Sequence, residues 1–293
     1  MEWQAFAMSD LSVLVLTKNE ECDLPGCLDS VSWCDDVHVV DSASTDGTCE
    51  IARRFGANVV TRAYPGTKIF GGDEAAHRNW SLRNTAFRYP WVLLLDADER
   101  VTEELRAAVL EAVKSPGAHV AFRVRRRDFL GTTWLKHVQT SPFYLRLFRP
   151  EKLRYERVVN PVSIADGPVG EVAGYLDHHP FSKGISHWLE RHNAYSSLEA
   201  LQIDENRRTH AKVSVYKALM SGDFHERRFH QKELFYRLPF RPVVKFCILY
   251  IGKAGFLDGR AGFQYAVLQA IYEYMIVLKV RESQGKSRPC KTI

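Results

Sequence analysis

The sequence of 293 residues is long enough for one large domain, or for one domain with an extension. Its 45% hydrophobic and 26% charged residues are typical of a globular protein that buries a core. The net charge of +5 favours anionic substrates or an anionic membrane surface, but it is too small to indicate a nucleic-acid-binding protein.

Targeting and redox signals point to the cytoplasm. Residues 1–10 lack the basic region and the apolar run of a signal peptide. Six cysteines without such a signal predict a reduced chain, and the spacing of the four between positions 22 and 49 matches no zinc pattern. No uninterrupted apolar run of about 20 residues is present, which disfavours a simple transmembrane helix.

The first elements alternate between strand and helix. Residues 11–16, 37–40 and 57–61 are short apolar runs that predict buried strands. Helices are expected between them, one capped by Asp23 and one beginning at Thr48. This order predicts a parallel sheet with right-handed crossovers.

Polar residues follow the first two of these strands. Thr17, Asn19 and Glu20 come after the first strand and Asp41 ends the second, so together they could line a nucleotide site. Asp41 could accept a hydrogen bond from a base N–H or a ribose hydroxyl. The alternative for Asp41 is a helix-cap or turn role, which is common for Asp after a strand.

The next segment excludes one class of enzyme and offers one phosphate ligand. Gly71-Gly72 has no third glycine after it, so it does not form a dinucleotide-binding fingerprint, and a nicotinamide dehydrogenase is disfavoured. A helix is predicted over residues 77–88. Arg78 near its start could contact a phosphate, since arginine suits bidentate phosphate contacts.

Residues 91–95 are apolar and run directly into Asp96 and Asp98. Side chains alternate along an extended chain, so the two carboxylates are expected on one side of a buried strand. A divalent cation such as Mg²⁺ or Mn²⁺, together with a diphosphate, would relieve their repulsion. The alternative is an acidic loop that caps a helix starting near Thr102.

Two further strands and a basic run follow. Residues 119–124 and 144–149 alternate between apolar and polar and predict half-buried strands. Between them, residues 125–127 are three arginines, which indicate either a solvated face or a surface that attracts anions. A strand-like stretch over 162–176 leads to His178-His179.

The composition changes at Gly184. A helix is predicted over 185–204, followed by two apolar, aromatic-rich segments, 243–251 and 263–280, with basic flanks. They predict attachment to one face of a bilayer, or alternatively a helical hairpin packed on the main domain. The predicted organisation is a catalytic domain over 8–183, a helical, membrane-interfacial extension over 184–281 and a disordered tail over 282–293.

These motifs resemble the family 2 glycosyltransferases, and most of all the bacterial subgroup that includes lipopolysaccharide core β-glucosyltransferases. The resemblance is carried by residues 14–20, 40–48, 77–79, 94–99 and 256–262. It implies an α/β protein of the GT-A type, with a Rossmann-like, mostly parallel sheet flanked by helices and a helical, membrane-associating C-terminal extension.

The resemblance also implies roles for individual residues. The uridine of a nucleotide-sugar would be held by Thr17, Asn19, Glu20 and Asp41, with Arg78 and Asp96 close to the nucleotide. Mg²⁺ or Mn²⁺ would be bound by Asp96 and Asp98, of which Asp98 is the more direct ligand. His179 would be a further metal ligand or a diphosphate contact, or else an ordinary core or surface histidine.

One departure concerns the general base. Related sequences carry Asn-Glu or His-Glu where this chain has Asn160-Pro161, and an inverting transferase needs a carboxylate to accept the proton of the acceptor hydroxyl. The carboxylates predicted to serve the reaction are Asp98 together with Glu156, Asp166, Glu171 and Asp177 as candidate bases.

The predicted function is therefore metal-dependent, inverting transfer of a sugar from a nucleotide-sugar, expected to be a UDP-sugar, to a glycan or lipid-linked acceptor in lipopolysaccharide or surface-polysaccharide assembly. The enzyme is expected in the cytoplasm, peripheral to the inner face of the cell membrane, with no nucleic-acid partner. One alternative is a non-catalytic, membrane-associated scaffold that kept the fold. The other is a nucleotidyltransferase, although the Gly-rich loop that it needs after the first strand is missing.

Overall fold

A computed structural model describes residues 10–62, 74–139, 141–156, 162–209, 212–222 and 224–286. The chain divides into two compact units. We call Met1–Lys136 with Thr140–Gly184 the sheet unit, and His137–Gln139 with Ile185–Ile293 the helical unit.

The sheet unit contains both strands and helices. Its strands are β1 (Ser12–Thr17), β2 (Val37–Asp41), β3 (Asn58–Thr61), β4 (Val92–Asp96), β5 (Glu99–Val101), β6 (Ala121–Leu130), β7 (Thr133–Trp134), β8 (Phe143–Phe148), β9 (Leu153–Glu156), β10 (Val162–Ala165) and β11 (Val169–His178). Its helices are α1 (Leu24–Asp29), α2 (Thr48–Arg54), α3 (Glu74–Asn84) and α4 (Glu103–Lys114).

Within the described residues, the main sheet has the strand order β3-β2-β1-β4-β8-β6-β11-β5, and β7 pairs with β6. The first four strands run parallel, as predicted. However, β8 runs antiparallel to both β4 and β6, and β5 runs antiparallel to β11. The predicted α/β class with helices flanking the sheet is confirmed, but the sheet is mixed rather than mostly parallel.

Helices cover both faces of this sheet because its central strands are apolar on both sides. Leu93 and Leu95 of β4 belong to one core, which also contains buried residues of α1, α2 and α4. Leu94 points into a second core with Ala75 and Leu82 of α3. The alternation along β4 thus fixes the strand between two layers of helices and brings its carboxyl end, Asp96, to the edge of the sheet.

The start of α4 is packed closely on β11. The hydroxyl of Thr102 accepts a hydrogen bond from the N–H of Leu105 and caps the helix. Gly174 of β11 has φ +83°, and a Cβ there would lie 2.5 Å from the backbone nitrogen of Leu105. Only glycine allows this approach, which seats α4 against the strand that carries His178.

The helical unit is built from α5 (Gly184–Arg208), α6 (Val215–Met220), α7 (Phe224–Tyr236), α8 (Arg241–Cys247) and α9 (Gly259–Lys286). Its core contains Ala200 and Ile203 of α5 together with Ile276 and Val280 of α9. Helix α9 continues to Lys286, so residues 282–286, at the start of the predicted tail, are helical. Among the described residues, no helix is both long and apolar enough to cross a membrane.

Asp258 explains part of the 256–262 motif. Its buried carboxylate accepts hydrogen bonds from the backbone N–H groups of His137 and Val138, and it also contacts the His137 imidazole at 2.6 Å. Gly255 and Gly262 lie against each other, since a Cβ on Gly262 would come within 2.0 Å of the Gly255 carbonyl oxygen. The motif therefore ties the segment His137–Gln139 into the helical unit.

Candidate active site

The paired carboxylates lie where the sequence predicts them, at the carboxyl end of β4. Parallel pairing places Leu16 of β1 opposite Asp96 and Thr17 opposite Asp41 of β2. The polar ends of three neighbouring strands therefore meet at one edge of the sheet. This is the edge at which open α/β sheets bind their ligands.

Asp96 is held between two arginines. One oxygen of its carboxylate lies 2.7 Å from Arg146 of β8 and the other lies 3.3 Å from Arg78 of α3. Burial opposes ionisation of Asp96, but the two guanidinium groups outweigh it and hold the pKa of Asp96 well below its usual range. Asp96 is consequently a carboxylate that is already neutralised by protein side chains.

Asp98 instead contacts a histidine. Its Oδ2 lies 3.2 Å from Nε2 of His178, and Nδ1 of the same ring lies 2.5 Å from Oδ1 of Asp128. Burial disfavours the charged imidazole, but the neighbouring carboxylates of Asp98 and Asp128 raise the pKa of His178 to about 9. A cationic ring thus lies between two carboxylates.

The structure distinguishes the two adjacent histidines. The ring of His179 stacks on Phe129, with 5.2 Å between ring centroids, and its backbone N–H donates to the carbonyl of Asp98. The imidazole that reaches the Asp98 carboxylate belongs to His178, the last residue of β11.

Ionic contacts join these residues into one series, which we call the charge chain. In order, its members are Arg78, Asp96, Arg146, Glu99, Arg126, Asp128, His178 and Asp98. Cationic and anionic groups alternate along it, so each charge has an opposite neighbour. Its centre is Glu99, whose side chain is 0% exposed and accepts from Arg146 at 2.5 Å and from the Asp96 N–H at 2.9 Å.

The predicted nucleotide residues form a connected set at the ends of β1 and β2. The Asp41 carboxylate is 0% exposed and accepts from the hydroxyls of Thr17 and Ser44 and from the Ser44 N–H. Asn19 is exposed and accepts from the N–H of Thr45 at 2.8 Å. Asp41 therefore shapes the loop after β2, and Asn19 joins that loop to the one after β1.

Glu20 differs from the other carboxylates of this edge. It pairs with Lys183 at 2.7 Å, yet burial outweighs the lysine and raises the pKa of Glu20 to about 7. A carboxyl group with this pKa exchanges a proton near neutral pH.

Basic side chains engage three of the four predicted bases. Glu156 and Asp166 are exposed and pair with Arg154 at 2.9 Å and with Lys152 at 3.5 Å, respectively. Asp177 accepts two hydrogen bonds, of 2.6 and 2.8 Å, from the guanidinium group of Arg127. Glu171 is an exposed residue of β11. Asn160-Pro161 lies outside the described residues.

Five members of the charge chain were not predicted from the sequence as site residues: Glu99, Arg126, Asp128, Arg146 and His178. A signal for three of them was present in the strand alternation. Arg126 and Asp128 are two residues apart on β6, and Arg146 interrupts the apolar residues of β8. Polar residues two apart on a buried strand share a face and predict a common partner.

A divalent cation at this site would have few protein ligands. Among the described residues, no group of three or more His, Cys, Asp and Glu side chains is arranged to hold a metal ion. Asp98 would provide one oxygen ligand, and His178 would provide one nitrogen ligand after Nε2 loses its proton, whereas Asp96 is occupied by its arginines. Such a pair fits an ion that takes its remaining ligands from substrate phosphates and water.

The fold and this site are those of an α/β enzyme, and comparison with known proteins identifies the family. The model of the family described as glycosyl transferase family 2 matches residues 12–170, which is more than half of the chain. The chain therefore belongs to this family and is a glycosyltransferase. This confirms the family and the enzyme class predicted from the strand-end motifs.

Similar proteins cover nearly the whole chain. The lipopolysaccharide core biosynthesis glycosyltransferase LpsC of Rhizobium meliloti is 28% identical over 95% of this chain and 95% of its own length. An uncharacterised glycosyltransferase of Rickettsia typhi is 23% identical over 96% of this chain and 90% of its own.

Solved structures are also similar. TarS residues 1–349 of S. aureus in complex with UDP matches with a TM-score of 0.41 and 16% identity over 88% of this chain and 90% of that chain. Glucosyl-3-phosphoglycerate synthase of Mycobacterium tuberculosis with Mn²⁺ and UDP-glucose matches with a TM-score of 0.33 and 23% identity, over 40% and 43% of the two chains.

Proposed function

We propose that this protein is an inverting, metal-dependent glycosyltransferase that moves a sugar from a UDP-sugar to a glycan or lipid-linked acceptor. The observation that carries the proposal is the Asp98 carboxylate facing the His178 imidazole at the carboxyl end of β4, in a chain of family 2. The name of the similar LpsC supports an acceptor in lipopolysaccharide core or related surface-polysaccharide assembly.

The donor would bind across the strand ends. Thr17, Asn19, Glu20 and the loop shaped by Asp41 would enclose the uridine, and Asp98 with His178 would hold Mn²⁺ or Mg²⁺. When bound, the ion neutralises negative charge on the departing nucleoside diphosphate. Arg78, whose guanidinium carbon lies 5.5 Å from the centre of the Tyr155 ring, would stay near the nucleotide while it pairs with Asp96.

The acceptor hydroxyl attacks the anomeric carbon with inversion and must lose its proton to a base. Glu156, Asp166, Glu171 and Asp177 remain the predicted candidates. The ionic contacts of the charge chain would hold the Asp96 and Asp98 side chains in place when the donor binds and during this step. Positioning and leaving-group stabilisation then provide most of the rate enhancement.

The metal preference tests this proposal. An imidazole in the ligand set favours Mn²⁺, because Mg²⁺ takes oxygen ligands almost exclusively. We expect calorimetric titration to show UDP binding that requires a metal, at least about tenfold tighter with Mn²⁺ than with Mg²⁺, and that is abolished by EDTA. Equal UDP affinity in Mn²⁺ and in EDTA would contradict the metal site.

The titration is followed by a turnover assay. UDP release from UDP-sugars should be stimulated by a lipopolysaccharide core acceptor, and the anomeric configuration of the product should be inverted when it is read by NMR. Folded protein that binds no UDP-sugar and releases no UDP would instead favour the non-catalytic scaffold.

We also propose that the helical unit attaches the enzyme to the inner face of the cell membrane. Five apolar side chains between α7 and α9 are 50% to 81% exposed: Phe240, Val243, Ile251, Phe256 and Leu257. Exposed Lys253 and Arg260 accompany them. Apolar side chains that enter the headgroup region next to basic ones that contact anionic lipids are the features of an interfacial segment.

The membrane proposal predicts a localised effect of mutation. Ile251→Ser with Leu257→Ser should lower co-sedimentation with anionic liposomes at least about tenfold, because two side chains that would be buried in lipid become polar. Leu219→Ser with Met220→Ser is the matched control, since these α6 side chains are similarly exposed, at 69% and 67%. Equal losses for both pairs would refute the assignment to this segment.

A further inference from the structure

The two ring nitrogens of His178 face two different carboxylates. Nδ1 lies 2.5 Å from Oδ1 of Asp128 and Nε2 lies 3.2 Å from Oδ2 of Asp98. Asp128 is on β6 and His178 is on β11. In the parallel pairing of these strands the two residues are direct register partners. The sheet itself therefore fixes which nitrogen meets which carboxylate.

Asp128 has no freedom to move away from this contact. Its side chain is 3% exposed, and a second side chain, Arg126, lies 2.9 Å from its Oδ1. Arg126 in turn lies 3.8 Å from the fully buried Glu99. A carboxylate fixed in this way accepts a hydrogen bond from the Nδ1–H group of the imidazole in one orientation of the ring.

We propose that Asp128 is a positioning residue for the metal: it accepts the hydrogen bond of the His178 Nδ1–H, so that Nε2, after releasing its own proton to solvent when a metal binds, directs its lone pair to the space beside Asp98. A histidine that binds a metal commonly donates its other N–H to a carboxylate, which sets the tautomer and the ring orientation. This inference rests on the metal dependence proposed above. It assigns a role to a residue of β6 that lies 30 positions after Asp98 in the chain.

A purely structural role for Asp128 is the competing explanation, because its contact with Arg126 also stabilises the sheet. The two roles differ in what they predict for metal binding by a folded variant. Metal affinity depends on the orientation and basicity of Nε2. The contact between Asp128 and Arg126 alone does not affect either property.

The test is Mn²⁺ binding to the full-length protein in the presence of UDP, followed by electron paramagnetic resonance of free Mn²⁺. Asp128→Asn keeps the shape of the side chain and removes its charge, and we expect it to weaken Mn²⁺ binding by about 10- to 100-fold. Asp35→Asn is the matched control. It removes the charge of an exposed carboxylate outside the site that also pairs with an arginine, Arg88, and it should change Mn²⁺ affinity less than about twofold.

The Mn²⁺ measurements distinguish a failure of the proposed metal dependence from a failure of the role proposed for Asp128. Wild-type protein that binds no Mn²⁺ with UDP would overturn the proposed metal dependence. Wild-type protein that binds Mn²⁺ while folded Asp128→Asn binds it equally well would overturn the role of Asp128 alone.

A measurement on the wild type covers the case in which Asp128→Asn does not fold. With UDP and Zn²⁺ as a diamagnetic probe, nitrogen NMR should show His178 with a proton on Nδ1 and metal on Nε2. Metal on Nδ1, or no metal on His178, would contradict the inference.

Discussion

Replacing Asp98 with asparagine is expected to abolish metal-dependent UDP binding and to lower kcat/KM about 10²- to 10³-fold. The substitution keeps the size of the side chain but removes the anionic oxygen that faces His178 at 3.2 Å. A bound metal ion provides several kcal/mol of stabilisation for charge that develops on the leaving group, and each 1.4 kcal/mol corresponds to a factor of about ten in rate. Calorimetry with Mn²⁺ and UDP, together with initial rates of UDP release, measures both effects.

The size of this effect depends on Asp98 having no substitute. Asp96 is the other carboxylate of the pair, but Arg146 and Arg78 already contact its oxygens. Freeing Asp96 to bind a metal would leave two guanidinium groups without their partner in a buried site, which is costly. The two carboxylates are therefore not interchangeable, although the sequence presents them as a symmetric pair.

Asp29→Asn provides the matched control for Asp98→Asn. Asp29 is an exposed residue at the end of α1, and the same chemical change there should leave UDP binding and kcat/KM within about twofold of the wild type. Metal-dependent UDP affinity that survives in folded Asp98→Asn would remove Asp98 from the metal site.

The parts of the fold that depend on local sequence were predictable. Residues 92–95 of β4 are apolar because both faces of the strand are covered by helices, and the Asp residues follow where the strand reaches the sheet edge. Parallel order in β1 to β4 follows from short strands alternating with helices. The antiparallel insertion of β8 does not follow, since it depends on a pairing between residues more than 50 positions apart.

The other site residues could not be predicted either, because they are brought together by pairing between distant parts of the sequence. His178 and Asp128 are 50 residues apart, as are Arg146 and Asp96, and each pair meets only through strand register. The choice between His178 and His179 also depends on register, because the pairing of β11 with β6 places His178 opposite Asp128. A one-residue error reverses the face to which each side chain points.

Local rules also failed where a tertiary contact competes. The sequence predicts that Asp23 caps α1, but its side chain makes no capping hydrogen bond. It accepts instead from the hydroxyl of Ser182 at 2.8 Å and lies 3.8 Å from Arg100. A charged partner and a hydroxyl from a distant segment together outweigh one capping bond, which contributes about 1 kcal/mol.

Arg146→Met is expected to destabilise the sheet unit by about 3–5 kcal/mol. Nη2 of Arg146 contacts Asp96 at 2.7 Å and Glu99 at 2.5 Å, and its side chain is almost fully buried. Methionine fills a similar volume, so the loss comes from the unpaired carboxylates rather than from a cavity. Denaturant unfolding of the full-length protein, followed by tryptophan fluorescence, measures the change.

Glu99→Gln is expected to recover part of that loss in the Arg146→Met background. Glu99 is 0% exposed, and burial already raises its pKa above the ordinary value even with Arg146 present. Without Arg146 the buried Glu99 carboxylate loses a cationic partner, whereas the neutral amide of glutamine does not need one. A double-mutant cycle should therefore show a coupling of about 1–3 kcal/mol between the two positions. Arg149→Met is the control, because its guanidinium lies over the Trp91 ring, and it should cost about 1 kcal/mol or less.

The contact between Arg146 and Glu99 also predicts how the free energy of unfolding depends on pH. In Arg146→Met the folded-state pKa of Glu99 should rise further above its value in the unfolded chain, so the folded state binds the extra proton. Stability then falls as pH rises from the unfolded-state pKa through the folded-state pKa, and the deficit relative to the wild type should be smaller at pH 5 than at pH 8. The double variant with Glu99→Gln should lose this dependence. A deficit that is the same at both pH values in Arg146→Met would show that Glu99 is not the group left uncompensated when the charge chain is broken.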